Sequence, residues 1–187
     1  MKTETNSIDL PLDVTGKGEA HPKQWLAAYV RLFHEKKTCT RLVTLGIENF
    51  LPVQEEIHQW SDRRKKIERV LIPMVIFVRV SKDQQTQVLN LPSVSRYMAN
   101  VDKKIPLVIP DDQMERFKFM LDYSEKAVSI SNEPLQSGKR IRVIKGPLTG
   151  LVGELVMTND TPKVAVRLDM LGFASVEMPI GYIEPIV

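Results

Sequence analysis

The side chains that could carry out chemistry are few in this sequence and lie far apart. Cys39 is the only cysteine among 187 residues, which excludes an internal disulfide and any zinc site with several cysteine ligands. The three histidines, His21, His34 and His58, form no metal-ligand pair at helical spacing. Because no catalytic constellation is recognisable, the sequence predicts a protein that is not an enzyme and that uses no metal and no cofactor.

A basic stretch near the middle of the chain is the first candidate for binding. Residues 61–69 hold five basic and two acidic side chains, so their net charge of +3 equals that of the whole chain. Lysine and arginine neutralise phosphates, and a neighbouring aromatic ring can stack on an unpaired base. The candidate nucleic-acid-binding residues are Trp60, Arg63, Arg64, Lys65 and Lys66. A solvated hairpin tip is the alternative interpretation.

A second informative stretch runs from Gly138 to Gly153. Arg140 and Arg142 alternate with Ile141 and Val143, as expected for a strand with one polar face and one apolar face. The following glycines and a Gly-Pro pair predict tight turns between this strand and the next apolar run.

The remaining sequence predicts alternating strands and helices that position these stretches. In the first part of the chain the pattern predicts strands over Trp25–Leu32, Ile47–Ile57, Ile67–Val80 and Arg96–Met98. It also predicts one helix over Glu35–Leu45 and another that begins at Pro110. In the second helix we expect Asp112 to form the N-terminal cap together with Glu115. The second part predicts strands over Arg140–Ile144, Gly153–Met157, Lys163–Leu168, Ala174–Met178 and Ile183–Val187.

Composition and breaks in pattern divide the chain into two domains. We expect a loose arm at 1–22, a domain at 23–124, a linker at 125–136 and a second domain at 137–187. Hydrophobic content of 43% and charged content of 26% are typical of a folded soluble protein. The longest apolar run, Val70–Val78, is too short to span a bilayer, and the first residues lack a signal-peptide core, so we expect a cytoplasmic location.

The stretch from Gly138 to Gly153 resembles the KOW motif, a small β-barrel module of transcription elongation factors and ribosomal proteins. The order of elements before it resembles the NusG family of transcription elongation factors. The segments that match the family pattern are Trp25–Val30, Phe50–Pro52, Ile72–Val78 and Leu91–Val94. Met74-Val75 stands where the general factor has Gly-Tyr, and the chain looks more similar to specialised paralogues such as RfaH and the UpxY-type antiterminators of capsule operons.

The resemblance implies an α+β fold. An N-terminal antiparallel sheet with flanking helices, similar to the NusG N-terminal domain, would precede a small C-terminal β-barrel of the KOW, SH3-like type. The β-branched run before Gly146-Pro147 disfavours a helical alternative for this C-terminal domain, so we expect a stable barrel. The implied function is transcription elongation and antitermination in bacteria, with suppression of pausing or termination at particular operons of capsular-polysaccharide type.

The resemblance also implies that the first domain binds the clamp of RNA polymerase through an apolar patch. The positions that match are Trp25, Tyr29, Val75 and Phe77, with Thr86 and Gln87 near a second polymerase contact. We expect this patch to be exposed because helices should cover only one face of the sheet. The alternatives are a core role for the apolar residues and a helix-surface role for Thr86 and Gln87.

Two further partners follow from the resemblance. The basic stretch would contact the non-template DNA strand in the transcription bubble. Leu148, Leu151 and Leu171 occupy positions where the general factor presents apolar loop residues to a small-subunit ribosomal protein or to Rho. Their alternative role is to close the mouth of the barrel.

A different class of function also remains open. Arg140, Arg142 and Arg167 could bind RNA, as in ribosomal KOW proteins, which would make the chain a ribosome-associated RNA-binding protein. The first domain disfavours this alternative, since ribosomal KOW proteins lack it.

Overall fold

The computed structural model describes residues 22–59, 64–100, 105–131, 138–169 and 171–186. Within these ranges no helix combines the length and the apolar content needed to cross a membrane. The helices are α1 (Glu35–Thr44), α2 (Lys82–Leu89) and α3 (Asp111–Tyr123). The strands are β1 (Gln24–Val30), β2 (Glu48–Phe50), β3 (Val53–Gln59), β4 (Arg64–Val70), β5 (Val75–Val80), β6 (Val94–Tyr97), β7 (Val108–Ile109), β8 (Ser129–Ser131), β9 (Lys139–Val143), β10 (Val152–Thr158), β11 (Thr161–Leu168), β12 (Gly172–Glu177) and β13 (Ile183–Pro185).

An antiparallel sheet forms the centre of the first part of the chain. Its strand order is β2-β5-β1-β6, and β7 pairs with the first residues of β1. In β5 both odd and even positions are buried, because α1 and α2 cover one face of the sheet while α3 covers the other. The expectation that one face lacks helices is therefore wrong.

Two predicted strands are each divided in the structure. The strand expected over Ile47–Ile57 separates into β2 and β3 at Pro52, and the one expected over Ile67–Val80 separates into β4 and β5 around Pro73. Proline provides no N–H for the strand ladder, so a break at these residues is physically reasonable. As a result β3 and β4 pair only with each other, as a separate two-stranded hairpin.

The helix ends also follow local chemistry, with one exception to the prediction. Helix α2 begins with a capping box, in which Ser81 accepts from the Gln84 N–H and the Gln84 side chain accepts from the Ser81 N–H. Helix α3 begins directly after Pro110 and has no side-chain cap, so the predicted cap at Asp112 is wrong. Because the helix starts one residue earlier, Asp112 lies in its first turn, where a carboxylate favours the helix dipole.

The last part of the chain forms a six-stranded antiparallel sheet, here called the C-terminal sheet. Its strand order is β13-β9-β10-β11-β12-β8, and the predicted strands of this region are confirmed. Strand β8 lies in the stretch predicted as a linker, where Ser129 pairs with Ser175 and Ser131 pairs with Phe173. In the described residues the strand pairing ends at β13 and β8 and does not close the sheet into a barrel. The predicted arm, apart from Pro22, and residues 132–136 of the predicted linker lie outside the described residues.

One apolar core joins the two sheets through α3. It contains Phe77 from β5, Phe117 and Met120 from α3, and Val164 and Val166 from β11. A hydrogen bond adds to this contact, since the Asp169 N–H donates to the Gln113 Oε1 at 3.0 Å. The C-terminal sheet therefore packs on the helix of the first unit instead of standing apart from it.

Candidate functional site

The β3–β4 hairpin carries the basic stretch, and its described part is nearly balanced in charge. The Lys66 Nζ lies 3.0 Å from the Glu55 carboxylate, and the Arg69 guanidinium lies 2.8 Å from the Glu56 carboxylate. Of the predicted nucleic-acid-binding residues, Trp60 and Arg63 lie outside the described residues, and the side chains of Arg64 and Lys65 are not described either. Exposed ion pairs of this kind contribute little to the free energy of unfolding. Lys66 can therefore leave the Glu55 carboxylate and bind a phosphate with only a small loss of stability.

The base of the hairpin is tied to the segment that follows α3. The Gln54 side chain donates to the Lys126 carbonyl at 3.1 Å and accepts from the Val128 N–H at 2.9 Å. The Leu71 N–H also donates to the Pro52 carbonyl at 2.9 Å. These bonds fix the direction in which the hairpin leaves the body of the protein.

The apolar residues predicted to contact the polymerase clamp lie on one face of the central sheet, and that face is covered. Trp25 is 3% exposed and Phe77 is fully buried. The Phe77 ring contacts the rings of Phe50 and Phe117, with centroids 6.2 and 6.1 Å apart. The predicted exposure of this patch is therefore wrong for this arrangement, because α3 covers this face of the sheet.

The other predicted polymerase contacts are divided between the two faces of the sheet. Val75 is buried in the same core, whereas Tyr29 is half-buried and lies under the Arg96 guanidinium at 5.2 Å. Thr86 and Gln87 are exposed on α2, which covers the opposite face of the sheet. The structure therefore does not bring the six predicted residues into one surface.

The three leucines predicted to bind a partner of the C-terminal sheet are buried. Leu148, Leu151 and Leu171 are at most 6% exposed and belong to the core that includes Phe117 of α3. Their side chains are therefore not exposed to a partner in this arrangement, and the contact with a partner stays a prediction. Their packing role, which was the alternative, agrees with their burial.

Basic residues of the C-terminal sheet meet α3 at a cleft of about 150 Å³. Its charged lining consists of three arginines and two carboxylates, namely Arg116, Arg140, Arg167, Asp112 and Glu154. Two hydrogen bonds from Arg167, of 2.6 and 3.0 Å, hold the pKa of the Glu154 carboxyl below its usual value and raise the pKa of Arg167. Arg142, which was grouped with these residues, instead lies 3.9 Å from Glu184. The cleft thus holds paired charges with an excess of arginine.

Sequence reasoning missed a group of exposed residues at one end of the central sheet. Leu32, Phe33 and Met74 are exposed there, and the backbone of Phe33 and Met74 is left-handed, with φ near 63° in both. For Met74 the sequence did indicate a left-handed backbone, because this residue stands where the family pattern has glycine. No comparable signal marks Phe33.

Cys39 gives no sign of reactivity. Burial, followed by the nearby Glu35 carboxylate, raises the pKa of its thiol to about 11. Within the described residues no group of three or more histidine, cysteine or acidic side chains could hold a metal ion.

Comparison with known proteins gives one strong match. The profile of the family described as "Transcription termination factor nusG" matches residues 23–118, which include the central sheet, the hairpin and most of α3. No curated protein sequence matches the chain significantly.

Solved structures align over most of the chain but superpose poorly. Thermotoga maritima NusG is 18% identical, covers 88% of this chain and 98% of its own, and gives a TM-score of 0.45. The MjSpt4:Spt5 complex in conformation A is 12% identical, with coverage of 87% and 97% and a TM-score of 0.29. These superpositions add nothing to the assignment, which the family profile carries alone. Since that profile covers more than half of the 187 residues, the chain belongs to the NusG family of transcription elongation factors.

Proposed function

We propose that this chain binds RNA polymerase during elongation, at the clamp, and suppresses pausing or termination at particular operons of capsular-polysaccharide type. The observation that carries the proposal is the NusG-family unit at 23–118, from which a basic hairpin projects. The factor acts in the cytoplasm of a bacterium by binding alone, with no catalytic step, metal or cofactor.

The proposed mechanism is a shift in the population of clamp conformations. The factor binds the closed clamp more tightly than the open clamp and so raises the fraction of closed, actively elongating polymerase. The shift in the equilibrium between the open and the closed clamp is set by the difference between the binding free energies for the two states. Modest contacts are therefore sufficient for such a shift if they form only with the closed clamp.

The hairpin is proposed to contact the non-template DNA strand. Lys66 is exposed, and its partner Glu55 is exposed as well, so a phosphate can replace that carboxylate. Such contacts would position the factor on DNA, and they do not by themselves read sequence. Choice of operon therefore needs contacts to base edges in addition, because stacking of Trp60 on an unpaired base would add affinity with little sequence preference.

The C-terminal sheet is proposed to bind a second protein, either a small-subunit ribosomal protein or Rho. Leu148, Leu151 and Leu171 are buried against the core that α3 shares. Binding through them therefore requires the C-terminal sheet to separate from α3. The free energy of the contact between the sheet and α3 would then reduce the favourable free energy of binding to the partner.

The alternative proposal is a ribosome-associated RNA-binding protein. One observation favours it, because Arg140 and Arg142 are both exposed on the outer face of β9. It predicts tight RNA binding that is lost when these two arginines are replaced and that is unaffected by changes in the hairpin.

The experiment that tests the main proposal uses the full chain and an elongation complex assembled from the source organism's own RNA polymerase. Reversing the charge of Arg63, Arg64, Lys65 and Lys66 should weaken binding and flatten its salt dependence, by roughly 0.7 units of log–log slope for each phosphate of the single strand that the variant no longer neutralises. A matched control also reverses four charges, at Lys23, Arg41, Lys82 and Lys163, which all lie outside the hairpin. Failure of the wild-type chain to bind the complex would refute the proposal. An unchanged affinity and slope in the hairpin variant would remove the hairpin from it.

A further inference from the structure

Two bulky residues hold a backbone conformation that their side chains disfavour. Phe33 and Met74 both have φ near 63°. Among the described residues, the other non-glycine positions with positive φ are Asn159 and Asp160, which form the β10–β11 turn and belong to the types that tolerate this region. Glycine would adopt the same conformation at 33 and 74 without strain. The strain at these two positions therefore calls for a reason other than folding.

The strained residues are exposed and adjacent. Phe33 is 88% exposed, and Leu32 and Met74 are more than 40% exposed. The Val30 N–H donates to the Met74 carbonyl at 2.9 Å, which places the turn after β1 beside the turn before β5. We call these three exposed residues, Leu32, Phe33 and Met74, the apolar platform.

Buried polar contacts hold the platform in place. Glu35 is 5% exposed, and its carboxylate accepts the Met74 N–H at 2.9 Å. The Arg31 N–H donates to the Ser93 carbonyl at 2.9 Å, and the Thr38 hydroxyl donates to the Ser93 hydroxyl at 2.7 Å. Three chain segments are thus joined beneath the exposed side chains, so the backbone has little conformational entropy left to lose on binding.

The border of the platform is basic. Arg31, Lys36 and Lys37 are exposed, and Lys36 is paired with Glu68. Between 31 and 37 the only carboxylate is that of Glu35, which is buried. The surface thus has an apolar centre and a positive border. It complements a protein pocket with an apolar floor and acidic edges.

Nucleic acid fits this surface less well than protein does. Bases stack on aromatic faces, and the platform has one aromatic ring beside two aliphatic side chains. Leucine and methionine instead fill irregular apolar pockets of proteins.

We infer that the apolar platform is a docking surface for RNA polymerase and inserts into an apolar pocket bordered by carboxylates on the enzyme. The inference rests on the proposed function. It also resolves a difficulty in that proposal, because Trp25, Val75 and Phe77 are buried in the same unit while the platform stays exposed.

The test compares full-length variants in equilibrium binding to core RNA polymerase without nucleic acid, to an elongation complex, and to single-stranded DNA. Phe33→Gly and Met74→Gly remove the apolar side chains and relieve the backbone strain. Each is expected to raise Kd for core polymerase and for the elongation complex about tenfold or more, with a urea midpoint that is unchanged or higher. Phe33→Asn keeps a residue that tolerates positive φ and should weaken binding to the same extent. Val43→Ala, at an exposed site on α1, serves as the control and should leave Kd unchanged.

The outcomes separate the inference from the proposal on which it rests. Wild-type binding that the platform variants do not weaken overturns the inference and leaves the proposed function standing. A loss of affinity seen with single-stranded DNA or with the elongation complex but not with core polymerase would identify a nucleic-acid contact and overturn the inference. If the wild-type chain binds neither form of polymerase, both fail.

Discussion

Truncation of Phe117 should destabilise both sheets at once. The ring is fully buried on α3, and it meets Phe50 and Phe77 edge-on with centroids 5.9 and 6.1 Å apart. The same core continues into Val164 and Val166 of β11. Phe117→Ala therefore opens a cavity where the two sheets share their packing.

The magnitude follows from the burial and the ring contacts. Replacing a fully buried phenylalanine by alanine costs about 3–5 kcal/mol of the free energy of unfolding. Beyond the burial of area, each of the two ring contacts contributes about 0.5–1.5 kcal/mol to the free energy of unfolding. The expected loss for Phe117→Ala therefore lies near the upper end of the range of about 3–5 kcal/mol. With a urea m-value of about 2 kcal/mol/M, a loss of about 5 kcal/mol lowers the urea midpoint by roughly 2.5 M.

The assay is urea unfolding followed by far-ultraviolet circular dichroism, together with amide hydrogen exchange of Val164 and Val166. We expect a single transition shifted to lower urea, with faster exchange in β11 as well as in the central sheet. Phe117→Leu retains most of the apolar volume and should lose less than about half as much. A loss below about 1 kcal/mol, or a C-terminal sheet whose exchange does not change, would refute the shared core.

Three further predictions concern single sites. Glu154 has a lowered folded-state pKa because of Arg167, so its stabilisation is present above the unfolded pKa and disappears as pH falls through the folded pKa. Glu154→Gln should therefore lower the free energy of unfolding at pH 7 by about 1 kcal/mol, as measured from the urea midpoint, and its cost should decrease as pH falls below the unfolded pKa. An effect that does not change with pH would contradict the pairing. Because burial raises the pKa of the Cys39 thiol to about 11, Cys39 should react with iodoacetamide at pH 8 roughly 100-fold more slowly than an exposed cysteine. The reaction is followed by mass spectrometry. A rate equal to that of a free thiol would contradict the burial of Cys39. A Cβ at Gly153 would lie 2.6 Å from the Ala165 carbonyl oxygen, so Gly153→Ala should lower the thermal midpoint by an amount equivalent to about 1–3 kcal/mol, and an unchanged midpoint would exclude the close strand approach.

Much of the strand and helix order could be predicted from the sequence, because it depends on local patterns. Alternation of Arg140 and Arg142 with Ile141 and Val143 predicts β9, and the structure shows the same alternation of exposed and buried residues. Pro52 and Pro73 indicate that the two long predicted strands could be interrupted there. The sequence pattern alone did not show that β3 and β4 form a separate hairpin.

The exposure of the candidate site could not be predicted, because it depends on which elements pack together. Phe77 lies on a face that alternation identifies correctly, but α3 covers that face through contacts more than 30 residues away in sequence. Leu151 likewise is buried where the C-terminal sheet meets α3, since it lines a cavity there with Arg116 and Phe119. Phe33 has a left-handed backbone that no residue-type rule assigns to phenylalanine.

The most direct measurement of the central claim is single-round transcription by the source organism's RNA polymerase on a template that holds a strong pause and a terminator. With the full-length protein present, we predict a shorter pause lifetime and more read-through, and we expect both effects to disappear when the hairpin charges at Arg63, Arg64, Lys65 and Lys66 are reversed. Pause lifetimes and read-through that do not change when saturating protein is added would contradict the account.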